Sequence, residues 1–253
     1  MAGMTDDLFR QDAYLRECSA HITAVTEAGI VLDRTVFYPL GGGQAGDSGV
    51  LVLADGTEIA IADTRKGKDA EGNATNNIVH VPAPGQEALL AALAPGTTVT
   101  ARIDWERRHR MMRLHTTSHL LCHVVPQLVN GCSITPDYAR LDFAMTDPLD
   151  KEQLTAAIAA MVAAAHPLTV ASISDEELDA NPALVESMSV QPPRGTGRIR
   201  TIRIGGEGDA PLIDLQPCGG THVANTEEIG AVVVTKIEKK SATTRRVVLG
   251  FAR

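Results

Sequence analysis

The chain has 253 residues, of which 44% are hydrophobic and 21% charged, and a formal net charge of −8 at pH 7. This is the make-up of an ordinary soluble globular protein, long enough for one large domain or two modest ones. It lacks an apolar run that could span a bilayer and a signal-peptide pattern at "MAGMTDDLFRQD", and its acidic balance argues against general nucleic-acid coating while leaving room for a local basic patch. We therefore expect a cytoplasmic protein. Its four cysteines (Cys18, Cys122, Cys132 and Cys218) suggest no disulfide framework, and with aromatics at 3% the packing falls to Ala, Val, Leu and Ile.

Taken in chain order, the first hundred residues hold short Val/Ile-rich runs separated by turn signals. "HITAVTEAGIVLD" and "GVLVLADGTEIAIADTR" read as hairpins broken at "EAG" and "ADG", which predicts a β-barrel-like or sandwich domain over residues 1–104. Within it, "GGGQAGDSG" is by default a turn, although its backbone N–H groups and Gln44 could also meet phosphate or ribose. It is no Walker loop, because the Gly-Lys-Ser/Thr ending is missing. "VPAPGQEALLAALAPGTTVTARID" closes the region.

Asp104 reads as an N-cap before "WERRHRMMRLHTTSHLLCHVV", whose Met112, Leu120, Leu121 and Val124 predict a buried stripe, with Pro126 marking the end. "DKEQLTAAIAAMVAAAH" reads as a second helix, and "SDEELDANPALVES" as a third capped by Ser174. Strand-like "YARLDFAM", "LTVASIS", "GRIRTIRIG", "AVVVTKIEKK" and "RRVVLGFAR" lie among and after them, so residues 105–253 are expected to form an α+β domain.

The chemistry sits in two short stretches. "HTTSH" places His115 and His119 four residues apart, on one face of the first long helix, where both imidazoles can reach a shared metal. Zinc peptidases use this spacing with a glutamate after the first histidine; Thr116 stands there instead. Near the C-terminus, "PCGGTH" adds Cys218 and His222. Each pair alone is a weak signal; together they make a tetrahedral set of three nitrogens and one sulfur, suited to zinc. Basic residues also cluster at "RRHRMMR" (107–113), at Arg194, Arg198, Arg200 and Arg203, and at "KIEKKSATTRR". Solvated faces are the commoner meaning of such runs; phosphate contact is the alternative.

Four stretches carry a family resemblance. "TVFYPLGGGQAGDSG", "RLHTTSHLL", "GCSITPDYARLDF" and "PCGGTHVANTEEIG" resemble, in the same order, motifs of the editing domains of alanyl-tRNA synthetases and of their free-standing relatives, the AlaX proteins. The family's Phe-Asp-Phe-Ser-His stretch is here "LDFAM". The resemblance implies a trans-editing hydrolase of the medium-length form, without the synthetase catalytic domain or a trailing tRNA-binding domain. It would deacylate alanine tRNA mischarged with serine or glycine. By the same resemblance, Zn2+ would be held by His115, His119, Cys218 and His222. Gly41, Gly42, Gly43 and Gln44 would line the cleft, Thr116, Thr117 and Thr221 would meet the amino acid, and the arginine cluster would contact tRNA. Asp142 could orient a histidine. Two other readings remain: an editing hydrolase of the threonyl type, and a non-catalytic zinc module that binds RNA or a partner.

Overall fold

The computed structural model describes residues 4–184, 198–206, 208 and 211–252. The fold is mixed, with strands in the majority. It divides into two compact units, one of residues 1–41 and 45–108 and the other of residues 42–44 and 109–253.

The first unit is built on six strands, Glu17–Thr26, Gly29–Leu32, Gly49–Leu53, Glu58–Lys68, Ala74–Pro82 and Thr98–Ile103. Their pairing returns on itself, since Glu17–Thr26 bonds both Gly29–Leu32 and Thr98–Ile103, and the sheet is a closed barrel. Period-two alternation explains the filling. Val99, Ala101 and Ile103 turn inward while Thr98, Thr100 and Arg102 do not, and Ile59 and Ile61 alternate in the same way. Leu51, Phe37, Ile22, Ile30 and Leu32 complete the core. A buried ion pair ties down the glycine-rich segment: the Arg108 guanidinium and Asp47 carboxylate are 0% and 1% exposed. Arg108 Nε donates to Asp47 Oδ2 at 3.0 Å, its Nη2 to Val36 O at 2.6 Å, and Tyr38 N donates to the same carboxylate at 2.7 Å.

The second unit holds a four-stranded antiparallel sheet and a three-stranded one. The larger is ordered Val232–Ser241, Thr244–Phe251, Tyr138–Ala144, Val129–Ile134; the smaller is Leu168–Ile173, Ile199–Gly205, Leu212–Pro217. The long helix is Trp105–Val124. Asp104 caps it, its Oδ1 accepting from Arg107 N at 3.1 Å, and it stops just before Pro126. Burial along it is broader than a stripe. Met111, Met112, Leu114, Leu120 and Leu121 are all 0% exposed, and the intervening Thr116, Thr117 and Ser118 are buried too. The middle of the helix, residues 114–122, is enclosed on every side, while Glu106 and His123 near its ends are exposed. Lys151–Ala163 is capped by Asp150, and Asp175–Ala180 by a capping box of Ser174 and Glu177; this last helix ends well short of the sequence reading. Among the described residues, no helix is long and apolar enough to cross a membrane.

Candidate metal centre

The long helix delivers His115 and His119 one turn apart, each 5% exposed, with ring centroids 5.4 Å from each other. The loop after strand Leu212–Pro217 brings Cys218 and His222 against them. Cys218 Sγ lies 3.5 Å from His115 Nε2 and 3.3 Å from His222 Nε2, and the candidate donor atoms of the four residues lie within 4.8 Å of one another. Bond lengths of about 2.05 Å to nitrogen and 2.3 Å to sulfur at a tetrahedral angle put sulfur and nitrogen about 3.6 Å apart, so the donor set is close to the spacing one ion needs. The cluster can hold a metal ion.

Each imidazole is steered by a different partner at the other nitrogen. His115 Nδ1 bonds Gln44 Oε1 at 2.8 Å, His119 Nδ1 bonds Asp214 Oδ2 at 2.5 Å, and His222 Nδ1 bonds the Thr116 hydroxyl at 3.2 Å. With Nδ1 occupied in all three rings, the Nε2 lone pairs are the ones left to converge. The supports are themselves held. Gln216 Nε2 donates to Asp214 at 3.1 and 3.2 Å, Gln44 Nε2 donates to Thr221 Oγ1 at 2.8 Å, and Thr221 N donates back to Gln44 Oε1 at 3.1 Å. Arg200 braces the loop, its Nη1 donating to Cys218 O at 2.6 Å and Gly220 O at 3.1 Å.

The electrostatics match. Burial alone would raise the Cys218 thiol, but the charge of His115 and the hydrogen bonds from the imidazoles around it outweigh that and hold the group well below its ordinary value, toward the thiolate a metal requires. Burial, then the charge of His115, pushes His222 well down and keeps that ring neutral. For His119 burial is overridden by the Asp214 carboxylate, which lifts it to about 10. An ion entering the cluster therefore displaces a proton from His119 Nε2, while the Nδ1 proton stays with Asp214.

Known proteins place the chain. A family model described as the threonyl and alanyl tRNA synthetase second additional domain matches residues 199–248, and one described as tRNA synthetases class II (A) matches residues 10–107. An alanyl-tRNA editing protein AlaX-M from Saccharolobus solfataricus is 32% identical over 248 residues, covering 96% of this chain and 98% of its own length. The chain belongs to the AlaX-M family. Its counterpart from Methanosarcina acetivorans is also 32% identical, with the same coverage. An alanine--tRNA ligase from Metallosphaera sedula is 33% identical over 93% of this chain, but the match spans only 25% of the ligase.

The remaining residues singled out in the sequence fall in different places. Gln44 is fully buried beside His115. Gly42 and Gly43 run alongside strand Val129–Ile134, with Ile134 N donating to Gly43 O at 2.8 Å. Gly43 has φ +84°, and a Cβ there would lie 2.2 Å from Cys132 Sγ, so both backbone and space demand glycine. Gly41 belongs to the first unit, where its carbonyl accepts from the Tyr38 hydroxyl at 2.8 Å. Thr117 back-bonds to Arg113 O at 2.8 Å, while Thr221 is buried beside Gln44. Arg198 bonds Ser172 Oγ and Arg203 bonds Gly206 O; Arg194 lies outside the described residues. Asp142 does not orient a histidine. Both its oxygens accept from Arg246, at 2.7 and 2.8 Å, and the carboxylate doing that work is Asp214. Alternation of Asp214 and Gln216 in "IDLQPC", on one side of a strand that leads into Cys218, is the sequence signal for it.

Proposed function

We propose that the chain is a trans-editing hydrolase that removes serine or glycine from mischarged alanine tRNA in a zinc-containing site in the cytoplasm. One observation carries this reading: in a member of the AlaX-M family, three Nε2 atoms and one thiolate sulfur converge, with each Nδ1 tied to a separate protein oxygen. Soft thiolate with imidazoles favours zinc over magnesium or calcium.

In the reaction, a water oxygen adds to the aminoacyl carbonyl carbon. The bond from that carbon to the ribose oxygen then breaks, and the ribose oxygen leaves with a proton. An ester of this kind needs positioning and charge stabilisation more than a strong nucleophile. Zinc, when bound, supplies a Lewis acid for the ester and an anchor for its polar groups. The chain supplies the rest. Asp214, Gln44 and Thr116 keep the imidazoles aimed. Thr221 accepts from Gln44 and keeps its own hydroxyl proton for an acceptor on the amino acid. Backbone N–H groups of Gly42 and Gly43 serve the terminal ribose, and Arg198, Arg200 and Arg203 contribute positive charge for the RNA.

The test is deacylation of alanine tRNA charged with serine, glycine or alanine, with Cys218→Ala as control. Rapid loss of serine or glycine, retention of alanine and an inactive variant are expected. If metal-loaded wild type leaves all three esters intact, alanine editing is wrong. Activity on a threonine tRNA would then point to the threonyl type, and none at all to a binding module.

A further inference from the structure

The basic run at the start of the long helix has a geometry that the metal centre does not use. Arg110 and Arg113 both lie over the ring of Phe251, their guanidinium carbons 4.3 and 4.5 Å from its centroid. Each is fastened through Nε to a neutral backbone oxygen, Arg110 to Pro136 O at 2.7 Å and Arg113 to Ile229 O at 2.8 Å. Two like charges are thus fixed on one ring by anchors that do not neutralise them.

Counter-charge is sparse. Arg110 has Asp137 at 3.6 Å, but that carboxylate is 83% exposed and contributes little at such a distance. Among the described residues no carboxylate pairs with Arg113, and the nearby Glu228 faces His109 at 3.8 Å. Keeping two cations together costs free energy unless an anion joins them. Stacking on an aromatic ring and anchoring through Nε leave the outer amines pre-oriented, the arrangement that suits the fork-like recognition of a phosphate.

We infer that Arg110 and Arg113, braced on Phe251, form a binding site for a backbone phosphate of RNA. The inference rests on the tRNA-editing reading above and deepens it by naming a part of the docking surface. At about 100° per residue, the two arginines lie some 140–240° around the helix from His115 and His119, on its far flank. The phosphate gripped here therefore belongs to a part of the RNA away from the reacting ester. In a chain of net charge −8, a local pair of this kind supplies attraction that the molecule as a whole does not.

The experiment measures binding of uncharged alanine tRNA by fluorescence anisotropy from 0.05 to 0.3 M salt, for wild type and for Arg110→Gln with Arg113→Gln. Losing the one phosphate contact that the two arginines share lowers the slope of log K against log salt by about 0.9 and should weaken binding about fivefold at 0.15 M salt. An unchanged slope and affinity in a folded double variant would overturn the site, leaving the cluster as a clamp between helix and final strand. Should the double variant not fold, phenylglyoxal modification of wild type with and without tRNA decides. Protection of Arg110 and Arg113 by RNA supports the site, and equal modification overturns it. Wild type that binds no tRNA overturns it as well. Wild type that binds tRNA but leaves every ester intact refutes the editing reading and not the phosphate site.

Discussion

Gly220 is the residue whose replacement most directly tests the construction of the centre. It is buried in the loop between Cys218 and His222, and a Cβ there would stand 2.1 Å from His115 Cε1, 2.5 Å from its Nδ1 and 2.9 Å from Gln44 Oε1. Ordinary carbon contacts begin at about 3.5 Å, so Gly220→Ala drives the His115 ring back by more than about 1 Å or forces the loop outward. Metal sites tolerate roughly 0.2 Å in ligand distance, so His115 is lost as a ligand or Cys218 and His222 are displaced together. Relief of unfolded-chain entropy by alanine contributes about 0.4–1 kcal/mol, against about 1–3 kcal/mol for overpacking, so a net loss of about 1–2 kcal/mol is expected. That corresponds to roughly 2–8 °C in Tm. Zinc affinity should fall by at least the tenfold to hundredfold seen when an orienting partner is removed. Competition against a chromophoric chelator and a thermal melt read both effects. Wild-type zinc affinity in Gly220→Ala would refute the placement of His115 as a ligand.

Three further changes probe other parts of the argument. Asp214→Asn keeps the shape but removes the charge that holds His119, and zinc affinity should drop about 10–100-fold in the same chelator assay; an unchanged value would deny Asp214 its role. Asp47→Ala strands the buried Arg108 guanidinium and should cost about 3–5 kcal/mol in urea unfolding, whereas a loss below about 1 kcal/mol would mean that the backbone oxygens suffice. His80 is buried in the first unit between Ile30 O at 3.0 Å and the Thr35 hydroxyl at 2.8 Å, and burial lowers it to about 4. Its folded value lies below the unfolded value of about 6.5, so its contribution is intact above pH 6.5 and is lost as pH falls toward 4. At about 1.4 kcal/mol per unit this amounts to about 3 kcal/mol. His80→Gln should flatten that part of the stability curve, and identical curves for the two proteins would count against a neutral His80.

How much of this could be read from the chain depends on distance along it. His115 with His119 and Cys218 with His222 are visible because helical and tight-loop spacing bring each pair together locally, but no local rule joins positions separated by about a hundred residues. Gln44 stands out as part of a glycine-rich motif, yet its partner His115 is 71 positions away, and nothing in "GGGQAGDSG" says that the amide serves an imidazole. Asp47, in the same motif, serves a different unit by pairing with Arg108. Strands Val129–Ile134 and Leu212–Pro217 were not anticipated, because Gly131 interrupts one and Pro211 and Pro217 flank or end the other. Without the second strand, no pattern joins Asp214 and Gln216 to the side that leads into Cys218, whereas Asp142 sits in a strand the sequence does show.

The unequal partners of the three imidazoles bear on how the proposed four-ligand centre would admit substrate. Catalytic zinc ordinarily keeps a position open, whereas four protein ligands close it. His119 is backed by a carboxylate at 2.5 Å that Gln216 in turn holds, and His115 by a buried amide at 2.8 Å. His222 has only a neutral hydroxyl at 3.2 Å, and that hydroxyl also accepts from Val223 N at 3.3 Å. An anionic partner makes an imidazole the stronger donor, and a long neutral contact holds its ring least firmly. His222 is therefore the ligand that yields if the shell must open. His222→Ala should retain zinc more tightly than His119→Ala, by about the tenfold to hundredfold that an orienting carboxylate is worth, in a titration that needs no tRNA. Equal affinity in the two variants, or tighter binding by His119→Ala, would show that Asp214 does not rank the ligands.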